Sequence, residues 1–117
     1  MDQTEAILAL AALGQPTRLE TFRLLVRREP EGAPAGELAR AMGVPQNTMS
    51  AHLAILSRAG LARGARNSRS ILYRADLARF RALVAFLMTD CCAGRTELCA
   101  PLLDELASCQ TSKGACA

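Results

Sequence analysis

Tryptophan is absent from this 117-residue chain, and only Phe22, Tyr73, Phe80 and Phe86 supply aromatic rings. Half of the residues are apolar, so the core must come mainly from Leu, Ala, Val and Ile on helices. Such a core is thin in one subunit. Small domains bury a modest fraction of their surface, and a homodimer that hides further apolar helix surface is expected. The length suits one domain.

Long apolar runs are also missing. The longest, Ala6–Leu13, falls far short of the roughly 20 residues that span a bilayer. Asp2 and Glu5 stand where a secretory signal would carry basic residues, and no small-residue cleavage site follows the run. The expectation is a cytoplasmic protein with no membrane partner. No cysteine precedes residue 91, yet Cys91, Cys92, Cys99, Cys109 and Cys116 follow. In a compartment that keeps thiols reduced, these read as ligands or sensors rather than structural disulfides. Lysine is nearly absent: thirteen of the fourteen basic residues are Arg. Arginine suits bidentate phosphate and guanine contacts, although a GC-rich genome produces the same bias, and a net charge of +3 does not by itself prove a nucleic-acid partner.

What is present is a succession of helical patterns. Ile7, Leu10 and Leu13 recur at helical spacing before Gly14 and predict a first helix over 4–13. Pro16 opens a second, with Leu19, Phe22, Leu25 and Val26 as its apolar stripe to about Arg28. Glu29–Pro34, with two prolines and a glycine, reads as a loop. A short helix over 35–42 turns Leu38, Ala39 and Met42 inward, and Gly43 suits a left-handed cap. A longer helix covers 46–59, with Met49, Leu53 and Leu56 on its buried side and Gly60 as its stop. Two helices joined by a tight glycine turn make a helix-turn-helix candidate.

Leu61–Gly64 and Ser70–Arg74 flank the turn-prone Ala65–Arg69 and predict a β-hairpin. Asp76 is placed to cap a helix carrying Leu77, Phe80, Leu83, Val84 and Leu87 to about Cys91. After Gly94 a connector leads to a last amphipathic helix from Pro101, with Leu102, Leu103 and Leu106. The fold expected is mainly α with a small β-hairpin: a winged helix-turn-helix.

With Met49, Leu53 and Leu56 buried, Gln46, Asn47, Thr48 and Ser50 lie on the opposite or leading face of their helix, where its N-terminal end would meet the major groove. Gln and Asn pair bidentately with adenine, and Thr and Ser reach bases or phosphates; Gln46 and Asn47 are the candidates for base contacts. Ordinary helix-start polar residues are the plainer alternative. Arg63, Arg66, Arg69 and Arg74 gather around the hairpin with Asn67 and Ser68. A basic wing beside a recognition helix follows the phosphate backbone or enters the minor groove; the alternative is a solvated charged turn.

Leu13-Gly14-Gln15-Pro16-Thr17-Arg18-Leu19, Glu37-Leu38-Ala39, Ser50-Ala51-His52-Leu53 with Leu56, Ala59-Gly60-Leu61 and Tyr73, in that order over residues 8–88, resemble the ArsR/SmtB family of winged-helix repressors. The resemblance implies a homodimer on double-stranded operator DNA and no enzyme activity. It also places His52, the only histidine, near the DNA face. The histidine and carboxylate zinc site that some relatives carry before the C terminus has no counterpart here, nor do the thiols that the best-known arsenite sensors carry in the helix-turn-helix.

Instead Cys91-Cys92-x6-Cys99 resembles the family subset whose arsenite site uses adjacent C-terminal cysteines and a third one shortly after. As(III) takes three sulfurs as a pyramid; Sb(III) stands with it as a candidate inducer, and a trivalent organoarsenical, which needs only two thiolates, is a subcase. Adjacent helical residues diverge by about 100°, so Cys91 and Cys92 converge only if the helix unwinds there, which Gly94 permits. Arg95 and the helix from Pro101 favour thiolate. Zinc or cadmium with Cys109 as a fourth ligand, a disulfide switch, and buried small apolar side chains stay open, as does a thiol enzyme such as an arsenate reductase, which lacks here a phosphate-cradling loop and a second histidine. No obligatory cofactor is expected. On this reading residues 1–108 form a domain for DNA binding and dimerisation that includes the inducer site over 91–99, and 109–117 form a flexible tail.

Overall fold

A computed structural model describes residues 1–91, 100–102 and 104–106. Met1–Leu83 forms one compact unit and Val84–Ala117 another. The order of elements is α1 (Gln3–Leu13), α2 (Pro16–Arg27), β1 (Ala33–Pro34), α3 (Ala35–Met42), α4 (Gln46–Arg58), β2 (Ala62–Asn67), β3 (Ser70–Ala75) and α5 (Leu77–Cys91).

Local chemistry sets each boundary. Asp2 and Glu5 form a reciprocal capping box at the start of α1. Gln15 caps α2 through the Arg18 amide, with Pro16 in its first turn. Gly43 ends α3 at φ 69° in the left-handed region. Asp76 Oδ1 accepts from the Arg79 amide at 3.0 Å and opens α5.

The core of the first unit is built on α4. Met49, Leu53 and Leu56 are fully buried, together with Leu25 of α2, Leu38 of α3 and Leu61. Thr21 is the buried polar residue of this core; its hydroxyl donates to the Thr17 carbonyl at 2.7 Å and meets Met49 Sδ at 3.8 Å. Phe22 and Phe80 pack with ring centroids 5.4 Å apart.

Three features differ from the sequence expectation. First, α1 buries Ala6, Ala9 and Ala12, while Ile7, Leu8 and Leu10 are exposed. Alanines at a three-residue spacing let the helix backbone approach the core closely, and the large side chains are left on the other side. Leu19 and Val26 of α2 are likewise exposed. Second, the loop before α3 contains β1, so the hairpin is part of a three-stranded antiparallel sheet of order β1-β3-β2. Ala33 pairs with Tyr73 and Pro34 with Leu72, and the proline is tolerated because β1 is an edge. Third, β2 continues through Ala65, Arg66 and Asn67, which leaves a two-residue turn, Ser68–Arg69, between the paired Asn67 and Ser70. Ser68 takes φ 59° there, as hairpin turns of this length require.

In the second unit the end of α5 is helical, as are residues 100–102 and 104–106, with Leu87, Leu102 and Leu106 exposed. Among the described residues no helix is long and apolar enough to cross a membrane.

Because Leu53 is fully buried beneath the exposed face of α4, Leu53→Ala should cost about 2–5 kcal/mol of stability through lost burial and an unfilled cavity. Urea unfolding measures this; a loss below about 1 kcal/mol would contradict the packing.

Candidate nucleic-acid interface

The apolar ridge of α4 turns its other side outward. Gln46, Asn47, Thr48 and Ser50 are all exposed on the first two turns. Pro45 precedes them and offers no side-chain cap, so the backbone N–H groups of Gln46 and Asn47 are open to an acceptor such as a phosphate oxygen. Asn47 is partly committed: its Oδ1 accepts from the Thr48 amide at 2.9 Å. It must release that bond to pair bidentately with adenine, whereas no such bond holds Gln46 among the described residues.

Beyond the N-terminal half, α4 is held by two arginines from other helices. Arg18 of α2 places Nη1 3.5 Å from His52 Nδ1. Arg79 of α5 lies along Gly60, whose φ is 81°, and a Cβ there would come within 2.8 Å of Arg79 Nε. The same Nε donates to the Ala59 carbonyl at 3.4 Å, and Nη1 reaches Glu5 Oε2 at 3.7 Å. A cation thus sits at the C-terminal end of α4, where the helix dipole favours it.

The wing follows. Gly64 faces Tyr73 across the β2–β3 pair, and its missing side chain makes room for the ring: a Cβ at Gly64 would stand 3.2 Å from Tyr73 Cε1 and 2.8 Å from Ile71 Cγ2. The four wing arginines do not share one role. Arg74 forks onto Glu29, with Nε–Oε1 3.2 Å and Nη2–Oε2 2.6 Å, and so ties the sheet to the loop after α2. Its hydrogen bond to Arg74 holds the Glu29 carboxyl below the ordinary carboxylate range, and the same bond raises the Arg74 guanidinium. Arg63 lies 3.4 Å from Asp76 but remains 79% exposed. Arg66, Asn67 and Arg69 are exposed at the outer end of β2 and in the turn, and neither Arg66 nor Arg69 has a carboxylate partner among the described residues.

A notch of about 320 Å³ joins the two halves of this surface, lined in part by Gly36, Gln46, Ser50, Arg69, Ile71 and Tyr73. The structure therefore brings Gln46 and Ser50 of the helix to the same place as Arg69 of the wing. The wing arginine that drops out of this surface is Arg74, spent on Glu29. Charge counting had no means of separating Arg74 from Arg66 and Arg69. These partners of Arg18, Arg79 and Glu29 could not be read from the sequence, because they lie 20 to 74 positions away.

Cys92, Cys99, Cys109 and Cys116 lie outside the described residues, and Cys91 is described only as the last residue of α5. Among the described residues no group of three or more His, Cys, Asp or Glu stands together to hold a metal ion.

A helix with a polar leading face, seated by its apolar side and flanked by a basic hairpin, defines a winged helix-turn-helix DNA-binding protein. A family model described as a helix-turn-helix domain matches residues 13–65. The chain is 36% identical over 84 residues, 72% of its own length and 71% of the relative's, to a biofilm growth-associated repressor of Xylella fastidiosa. It is similar to the solved structure of an ArsR-like transcriptional regulator from Rhodococcus sp. RHA1, with a TM-score of 0.69 and 27% identity over 83% of this chain and 89% of that one. It is also similar to a homodimeric winged helix-turn-helix DNA-binding domain of a possible ArsR-family regulator from Mycobacterium bovis, with a TM-score of 0.59 and 29% identity over 74% and 81% of the two chains. The chain belongs to the ArsR family and is a transcriptional repressor of that type, not an enzyme.

The Glu29–Arg74 pair carries a pH signature. A carboxyl whose pKa is depressed on folding contributes stability above its unfolded pKa and loses it as pH falls through the folded value. Glu29→Gln should therefore lower stability near neutral pH, with the gap to the parent closing below the ordinary carboxylate range. Urea unfolding at a series of pH values measures it, and a gap that persists undiminished into strong acid would speak against the pair.

Proposed function

We propose that the chain is a dimeric repressor that binds a near-palindromic operator and leaves it when As(III), or Sb(III), is captured by Cys91, Cys92 and Cys99. The observation that carries the DNA half is the convergence of Gln46, Ser50 and Arg69 on one notch above a buried ridge. Gln46 and, once released from Thr48, Asn47 read base edges. Thr48, Ser50 and His52 contact phosphates or bases beside them. Arg63, Arg66, Asn67 and Arg69 follow the backbone past the major groove.

Dimerisation is supported by the exposed Ile7, Leu8 and Leu10 on α1, a contiguous apolar face of the kind that marks a protein contact, and by the homodimeric state of the Mycobacterium bovis domain. A second copy docked there would set two recognition helices about one turn of DNA apart, roughly 34 Å.

The inducer half rests on thiol chemistry. Three cysteines within nine positions match the three bonds that As(III) forms, and the chain has a single histidine to offer a competing nitrogen site. Tying Cys91, Cys92 and Cys99 together would reshape the segment after α5. For release, the As(III)-bound protein must prefer the unbound state: weakening operator affinity a hundredfold takes about 2.8 kcal/mol of differential affinity.

Two measurements test these halves separately. Arg66→Ala and Arg69→Ala should each weaken binding to all duplexes alike and flatten the dependence of log K on log salt by about 0.9 per lost phosphate contact; an unchanged slope in both variants would remove the wing from the interface. Operator release titrated with As(III), Sb(III), Zn(II), Cd(II) and peroxide should respond to the first two, and Cys91→Ser, Cys92→Ser and Cys99→Ser should each abolish the As(III) response. Full release by As(III) in all three variants would refute the site, while response only to Zn(II), Cd(II) or peroxide would reassign the inducer.

A further inference from the structure

Arg18 belongs to α2, yet its side chain serves two other helices. Nε donates to the Ala12 carbonyl at 2.6 Å and Nη2 to the Ala11 carbonyl at 3.4 Å. These carbonyls are in the last turn of α1, which has no basic residue of its own. The guanidinium supplies the positive charge and the donors that a helix C terminus favours.

The remaining nitrogen, Nη1, lies 3.5 Å from Nδ1 of His52 on α4. A guanidinium has donors and no acceptor, so in this contact Nδ1 accepts. A neutral imidazole with an accepting Nδ1 carries its proton on Nε2. Nε2 has no hydrogen-bond partner among the described residues. His52 is half-buried and stands one helical turn after the exposed Thr48, so the two share a side of α4.

From this geometry we infer that Arg18 is the positioning residue for the DNA contact of His52. It fixes the imidazole as the Nε2–H tautomer, a donor suited to a phosphate oxygen, and anchors the ring to the end of α1. The inference rests on the reading of α4 as the DNA-reading helix. Without Arg18 the ring is free to take either tautomer, and one of the two presents a lone pair to the phosphate instead of a proton.

His52 is the sole histidine, so its ring nitrogens can be read without ambiguity in the full-length 15N-labelled protein. Long-range 1H–15N correlation at mildly alkaline pH should show Nε2 protonated and Nδ1 accepting. Arg18→Met should move both nitrogens toward a mixture of tautomers. Arg18→Lys, which keeps a charge near the α1 carbonyls, guards against a variant that fails to fold, and should lose the bias as well because one ammonium cannot span all three acceptors.

On a duplex selected from random sequence by the parent protein, Arg18→Lys and His52→Ala should each weaken binding about tenfold, the scale of one charge-assisted hydrogen bond. The double variant should be no weaker than His52→Ala alone. A parent ring protonated on Nδ1, a tautomer unchanged in both Arg18 variants, or additive losses in the double variant would overturn the positioning role. Unchanged affinity in His52→Ala would overturn the inference at its His52–DNA contact, whereas failure to select any duplex would overturn the DNA reading of α4 itself.

Discussion

The ridge of Met49, Leu53 and Leu56 leaves α4 only one way to lie. All three are fully buried, and each costs kilocalories to expose, so the helix cannot roll about its axis without exposing three of the largest side chains in the core. Its polar face is consequently fixed in direction even though Gln46, Asn47, Thr48 and Ser50 are all exposed. The candidate DNA-contacting side chains of the helix take their bearing from this buried ridge.

Arginine is the other economy of this chain. With lysine nearly absent, guanidinium groups serve both inside and outside the structure. Arg18 and Arg79 act as helix terminators for α1 and α4, Arg28 pairs with Glu37, and Arg74 forks onto Glu29. Such planar, multi-donor contacts are ones an ammonium would make less well. Arg66 and Arg69 are left at the outer end of the wing, where a charge without a carboxylate beside it is most open to a phosphate.

The helices were legible in the sequence because their punctuation is chemical. Pro16, Gly43, Gly60 and Asp76 mark boundaries that propensity alone would blur, and the structure places a cap, a turn or a first helical residue at each. The buried side of α4 was legible for the same reason that it is stable: three large apolar residues at helical spacing. On α1 the same rule misleads, since it counts Ile7 and Leu10 as core and passes over Ala6, Ala9 and Ala12, which are small enough to bring the helix close. β1 was invisible because two residues carry no period and one of them is proline. In the interface, polar and basic candidates could be named, but not sorted. Which arginine is already paired depends on contacts such as Glu29–Arg74, 45 positions apart, and no local pattern encodes those.

The short edge strand has a mechanical consequence for the wing. β1 pairs with β3 only at Leu72 and Tyr73, and the neighbouring Arg74 is moored to Glu29. Past Leu72 the ribbon is just two strands wide, with Arg66–Ile71 and Asn67–Ser70 as its last rungs. Two-stranded ribbons twist more readily than wider sheets. The blade therefore has a wide root and a narrow tip that carries Arg66 and Arg69, and a twist of that tip would move these two cations without disturbing the seating of α4.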